Sequence, residues 1–174
     1  MNINELLIET FDRLPDLVRS TVTDLTADQL RWAPAPGANS VGWLVWHLTR
    51  VQDHHVSELI GKDQVWVSGP WPARFGLAPN PDNTGYGHGP EQVAAVRPEG
   101  PQALIDYYTA VSERTRDLIA GLAPEDLDTI VDRRWDPPVT MGVRLVSIAN
   151  DDVQHVGQAA YVRGLVPEDA SVPA

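Results

Sequence analysis

The stretch VGWLVWHLTRVQDHH, residues 41–55, decides the fold and carries the first chemical group. Apart from His47, the run from Trp43 to Leu48 is apolar, so it reads as a buried helix that carries an imidazole into the interior. A lone histidine on such a face is ordinarily a core residue satisfied by one hydrogen bond. A second stretch, SIANDDVQHVGQAAYVRG at 147–164, gives His47 possible company. Asp151 and His155 stand four residues apart, one above the other on a helix face, where both can reach one metal ion. With His47 they make three ligands and leave a coordination position open, the layout of a reactive site rather than a closed structural one. The competing reading is an Asp151–His155 ion pair on one helix, with Asp152 and Gln154 solvated. The metal reading makes a geometric demand: the two helices must be neighbours.

Outward from these stretches, the periodicity predicts four main helices. Leu6, Leu7, Ile8, Phe11, Leu14, Leu17 and Val18 mark one over residues 3–23, bent or broken at Pro15. Thr26 with Gln29 reads as a capping box opening a short turn. Asn39 or Ser40 caps the second helix, which runs to Leu59 or Ile60 and stops at Gly61. A third spans 101–122, and a fourth runs from Gly142 to Arg163 with Gly164 as its stop. Between the last two, Ile130 and Val131 read as a short strand-like stretch before Pro137 and Pro138. Residues 62–100, rich in Gly and Pro and holding Trp66, Trp71, Phe75 and Tyr86, read as a long irregular loop ordered by its aromatics. The expected fold is all-α, a four-helix bundle in one domain over 1–174, with that loop between helices 2 and 3 and a short tail at 165–174.

Further residues qualify for the site. His54 lies two turns after His47 on nearly the same face and is the candidate catalytic group, accepting or relaying a proton, or an extra ligand. His55 reads as a surface residue. Arg144 is the candidate anion-binding group, able to hold a substrate carboxylate by bidentate contacts; Arg163 is a weaker one. Arg50 and Asp53 read as partners of each other or of the loop. His88, in NTGYGHGP, reads as a loop residue able to line the site mouth with Tyr86. Trp43 and Trp46 belong to the core, with Trp66, Trp71 and Trp135 as loop anchors.

The 174 residues suffice to bury a sizeable core. The absence of cysteine excludes a disulfide framework, a zinc-thiolate site and a thiol nucleophile of the chain's own. A formal net charge of -11 argues against a nucleic-acid partner. No segment reaches the ~20 apolar residues of a membrane span, and the N-terminus lacks signal-peptide character, so a cytoplasmic location is expected.

NSVGWLVWHLTRVQDHH and DDVQHVGQAAYVRG, in order with RWAPAPGANS, NTGYGHG and WDPPVTMGVRLVSI, make the chain similar to the DinB-like superfamily over nearly its whole length. Within it, the chain resembles small proteins related to the N-terminal domain of mycothiol-dependent maleylpyruvate isomerase. The resemblance implies an up-down-down-up four-helix bundle, commonly a homodimer, that holds a divalent metal, zinc or nickel, through His47, Asp151 and His155. Many relatives have histidine where this chain has Asp151, and the isomerase has glutamate, one methylene longer. No counterpart of the isomerase's C-terminal domain is expected, since ten residues follow Gly164. The implied activity is a thiol-dependent S-transferase or isomerase, in which a mycothiol-type thiol meets a small electrophile. A metal-dependent hydrolase and a non-catalytic metal-binding or stress-linked interaction module are the alternatives, and sites vary enough on one scaffold to keep them open.

Overall fold

The first helix opens at Asn2, whose side chain accepts from the Glu5 N–H while Glu5 accepts from the Asn2 N–H, both at 2.9 Å. In the computed structural model, which describes residues 1–170, this helix is α1 (Ile3–Asp12). Pro15 falls in the first turn of α2 (Leu14–Val22), where its missing N–H costs nothing, so the expected long helix is two. Phe11, Leu14, Val18 and Val22 form their buried stripe. The Thr26–Gln29 capping box opens α3 (Ala27–Arg31).

Ser40 caps α4 (Val41–Ile60) by accepting from the Trp43 N–H at 3.1 Å, and Gly61 ends it in the left-handed conformation. The segment expected to be irregular contains three short helices, α5 (Val65–Ser68), α6 (Trp71–Arg74) and α7 (Pro90–Ala95). Then come α8 (Pro101–Ala120), a 3-10 turn (Pro124–Asp128), and strands β1 (Ile130–Asp132) and β2 (Val139–Thr140), paired antiparallel with Ile130 opposite Thr140. Thr140 caps the closing helix, α9 (Met141–Arg163).

Over the described residues the chain is therefore mostly helical with one small two-stranded sheet. α4 packs most extensively against α9 and also against α8, while α2 packs on both α8 and α9. The geometric demand made by the metal reading is met. Trp46, Trp66, Tyr107, Tyr108 and Phe75 fill the centre, all but inaccessible to solvent. Trp43 is also buried, whereas Trp135, expected to anchor a loop, points into solvent between β1 and β2. Part of the expected tail, residues 171–174, lies outside the described residues; Val166 packs on the core. Among the described residues no helix is long and apolar enough to cross a membrane.

Asp53 and Arg50, both fully buried, bind the 62–100 segment to α4. The Asp53 carboxylate accepts from the Val65 and Trp66 N–H groups at 2.9 and 2.8 Å and from the Tyr107 hydroxyl at 2.8 Å. Arg50 donates to the carbonyls of Asn83 and Pro81 and to Gln64 Oε1 at 2.8 Å, and its guanidinium lies 4.9 Å from the Trp66 ring centre. The segment reaches the α4 face that carries His47 because these bonds hold it there.

Candidate metal centre

α4 supplies His47, and α9 supplies Asp151 and His155 from consecutive turns. One ligand atom of each lies within 4.8 Å of the others. His155 Nε2 stands 3.5 Å from Asp151 Oδ1, and the two imidazole rings meet edge to face with centres 4.7 Å apart.

Each histidine is oriented from behind. His47 Nδ1 lies 2.5 Å from the Thr84 carbonyl, which can only accept, so Nδ1 carries the proton and Nε2 keeps its lone pair. His155 Nδ1 lies 3.0 Å from the Gln158 side-chain amide, which holds the ring, and its Nε2 edge faces Asp151 Oδ1. Trp43 stacks on His47 at 4.6 Å between ring centres. Gly85, at φ +92°, lets the loop backbone come this close: a Cβ there would meet His47 Nδ1 at 2.7 Å.

Burial pushes the His47 pKa below its ordinary value, favouring the neutral ligand form. His155 is shifted upward by its hydrogen bond to Asp151. Asp151 Oδ2 is buried with no hydrogen-bond partner, an arrangement that costs free energy unless a cation answers it. Two imidazoles beside an orphaned carboxylate oxygen are a donor set suited to a divalent first-row metal. These residues fit such an ion.

His47 and Asp151 border a cavity of about 470 Å³ that is also lined by Val51, His54, His55, Asp82, Thr84 and Tyr86, with His155 behind Asp151. His54 is thus beside the candidate metal site. His55, expected at the surface, is half-buried, and Arg144 Nη1 sits 3.4 Å from its Nε2. Burial and that guanidinium lower its pKa to about 4. His54, His55 and Glu58 form a second group of potential ligands, but the neighbouring Arg144 charge opposes a cation there.

Arg144 does not line the cavity. It is turned to Asp132, 3.0 Å away, whose carboxyl Arg134 and Arg144 hold well below the usual carboxylate range. Arg163 caps the end of α2 by donating to the Thr21 and Thr23 carbonyls, both at 2.7 Å. His88 accepts from Trp43 Nε1–H at 3.2 Å, meets Asn83 Oδ1 at 2.9 Å and stacks near Trp46, so it braces the loop. With Tyr86 it lines an adjoining cavity, not the one bounded by His47.

Sequence reasoning missed Thr84, Gly85 and Gln158 as supports, and it misplaced Asp152. Instead of being solvated, Asp152 is fully buried, both carboxylate oxygens are unpartnered, and burial pushes its pKa well above the ordinary value. The signal was its spacing: Leu145, Ile148, Asp152, Val156 and Ala159 form one buried stripe against the other helices.

A sequence model of the DinB superfamily matches residues 10–159, and the chain belongs to that superfamily. Its fold is similar to the crystal structure of a conserved protein from Enterococcus faecalis, with 37% sequence identity and a TM-score of 0.87 over 95% of this chain and 98% of the other. Comparison with curated proteins returns no match.

Proposed function

We propose that this DinB-superfamily chain is a divalent-metal enzyme, with zinc or nickel as the occupant, that joins a low-molecular-weight thiol of the mycothiol type to a small electrophile as an S-transferase or isomerase. The observation that carries the reading is the donor set. His47 directs Nδ1 at the Thr84 carbonyl and keeps Nε2 free, and His155 is held by Gln158, beside an Asp151 oxygen that is buried and unpartnered. A divalent ion bound there would act as a Lewis acid and lower the pKa of a thiol in the cavity.

The chain's own residues do the remaining work. Thr84 and Gln158 hold the two rings in orientation, and Trp43 backs His47 against the loop. A chain without cysteine takes its thiol from a co-substrate. The cavity mouth at Asp82 and Tyr86 admits both reactants. In this reading Arg144 acts through His55, which it holds neutral, instead of binding a substrate carboxylate directly. We take the scaffold to be a single-domain, up-down-down-up four-helix bundle working in the cytoplasm. A homodimer is favoured by the exposed Val143, Val146, Val153 and Tyr161 of α9.

Elemental analysis of protein purified without a histidine tag, wild type against His155→Ala, tests the centre. Near-stoichiometric metal that is lost in the variant is expected, followed by thiol-dependent consumption of an electrophile. Ester cleavage without added thiol would indicate the hydrolase instead, and a metal-loaded protein that turns over neither substrate a non-catalytic module. No metal in wild type after reloading with zinc and nickel would overturn the reading.

A further inference from the structure

The cavity also holds His54, an imidazole whose surroundings are the reverse of those at His47. His54 Nδ1 lies 3.0 Å from Gln64 Nε2, a donor. The orientation of the Gln64 amide follows from its other neighbours. Arg50 can only donate, so the Gln64 atom 2.8 Å from its Nη2 is the oxygen. The Pro81 carbonyl can only accept, so the atom 3.1 Å from it is the amide nitrogen. That nitrogen has two hydrogens; one goes to Pro81 and the other points at His54 Nδ1. Arg50 is itself immobilised, fully buried and bonded to Asn83, Pro81 and Tyr107.

We propose that Arg50 and Gln64 lock His54 as a hydrogen-bond donor, with Nδ1 accepting and Nε2–H directed to the cavity, so that the site selects electrophiles whose reacting carbon is conjugated to a carbonyl oxygen. His47 faces an acceptor and keeps an Nε2 lone pair; His54 faces a donor and keeps an Nε2 hydrogen. A neutral His54 in this tautomer has no free lone pair with which to remove a thiol proton, so it does not act as the base. It can receive charge that develops on an oxygen. When a thiolate sulfur adds to the β-carbon of an enone, the C–S bond forms, the C=C π bond breaks and the electron pair moves to the carbonyl oxygen. The Nε2–H bond to that oxygen strengthens as the enolate forms. Water then delivers a proton to the α-carbon, balancing the one lost by the thiol. Gln64 and Arg50 are positioning residues in this scheme. The substrate assignment rests on the proposed transferase reading, but the tautomer does not.

The test is long-range proton–nitrogen correlation on zinc-loaded protein labelled with ¹⁵N-histidine at pH 7.5, with the His54 signals assigned by their loss in His54→Asn. Wild type should show Nε2 protonated and Nδ1 bare. In Gln64→Glu, a carboxylate facing Nδ1 should move the proton to Nδ1. A wild-type His54 protonated on Nδ1, or a pattern unmoved by Gln64→Glu, overturns the lock. Because this readout needs no turnover, it decides the tautomer even if the transferase reading fails. With turnover in hand, Gln64→Glu should lower kcat/KM for thiol addition to an enone by about 10²-fold while changing thiol displacement on a benzyl halide, which has no carbonyl, less than about threefold. Equal losses on the two substrates would overturn the selectivity.

Discussion

Replacing Gly85 by alanine places a methyl group within 2.7 Å of His47 Nδ1 and 2.9 Å of the Trp46 ring, at a backbone angle that side chains rarely adopt. The loop must withdraw, and the Thr84 carbonyl with it. Gly85→Ala is expected to weaken metal binding by about 10–100-fold in a chelator competition, whereas Thr84→Ser, which keeps the carbonyl, leaves it unchanged. The three candidate ligands were legible because a carboxylate and an imidazole four residues apart on an apolar helix make a pattern. Thr84 was not, since it acts through a backbone carbonyl that every residue has; the only trace was a glycine in NTGYGHG. Asp152 was legible and misread, its polar chemistry having been weighed above its place in a stripe at helical spacing.

The long helices follow from periodicity and caps, and α3, α4, α8 and α9 begin or end within a few residues of where those signals put them. The short helices of 62–100 do not. α5 has no side-chain cap of its own; the carboxylate that takes its first N–H groups is Asp53, a dozen residues earlier on α4. No local window contains both the helix and its cap, so the segment read as irregular. Asp53→Ala should therefore act on two elements at once. It leaves Arg50 buried beside a missing partner and is expected to lower the unfolding free energy by about 3–5 kcal/mol in urea titration. It should also speed amide hydrogen exchange at Val65 and Trp66 of α5 ahead of the amides of α4.

For the whole molecule, acid is the condition that discriminates. Folded His55, packed with Arg144, His54 and Glu58, titrates at about 4, against 6.5 for an unconstrained histidine. Above pH 6.5 both folded and unfolded chains hold it neutral and it adds no pH dependence. As pH falls from 6.5 to 4 only the unfolded chain takes up the proton, so this group draws stability down across that window, by at most about 3 kcal/mol. Below 4 its contribution is flat. Denaturant titrations from pH 7 to 4 should show His55→Gln gaining on wild type steadily through the window; a constant offset would remove His55 as the cause.

His47, Val51, His54 and His55 reach the cavity from successive turns of α4, a helix that is buried along most of its length and unbroken from Val41 to Ile60. Seven residues of helix separate His47 from His54, a rise of about 10 Å that no side-chain motion can alter. α4 is in that sense a ruler. A molecule touching both imidazoles bridges two turns of the helix, its span scaled by that rise and by the reach of the two side chains. Enlarging or trimming the loop would change how easily the cavity is entered, but the length it measures is set by the pitch of the helix.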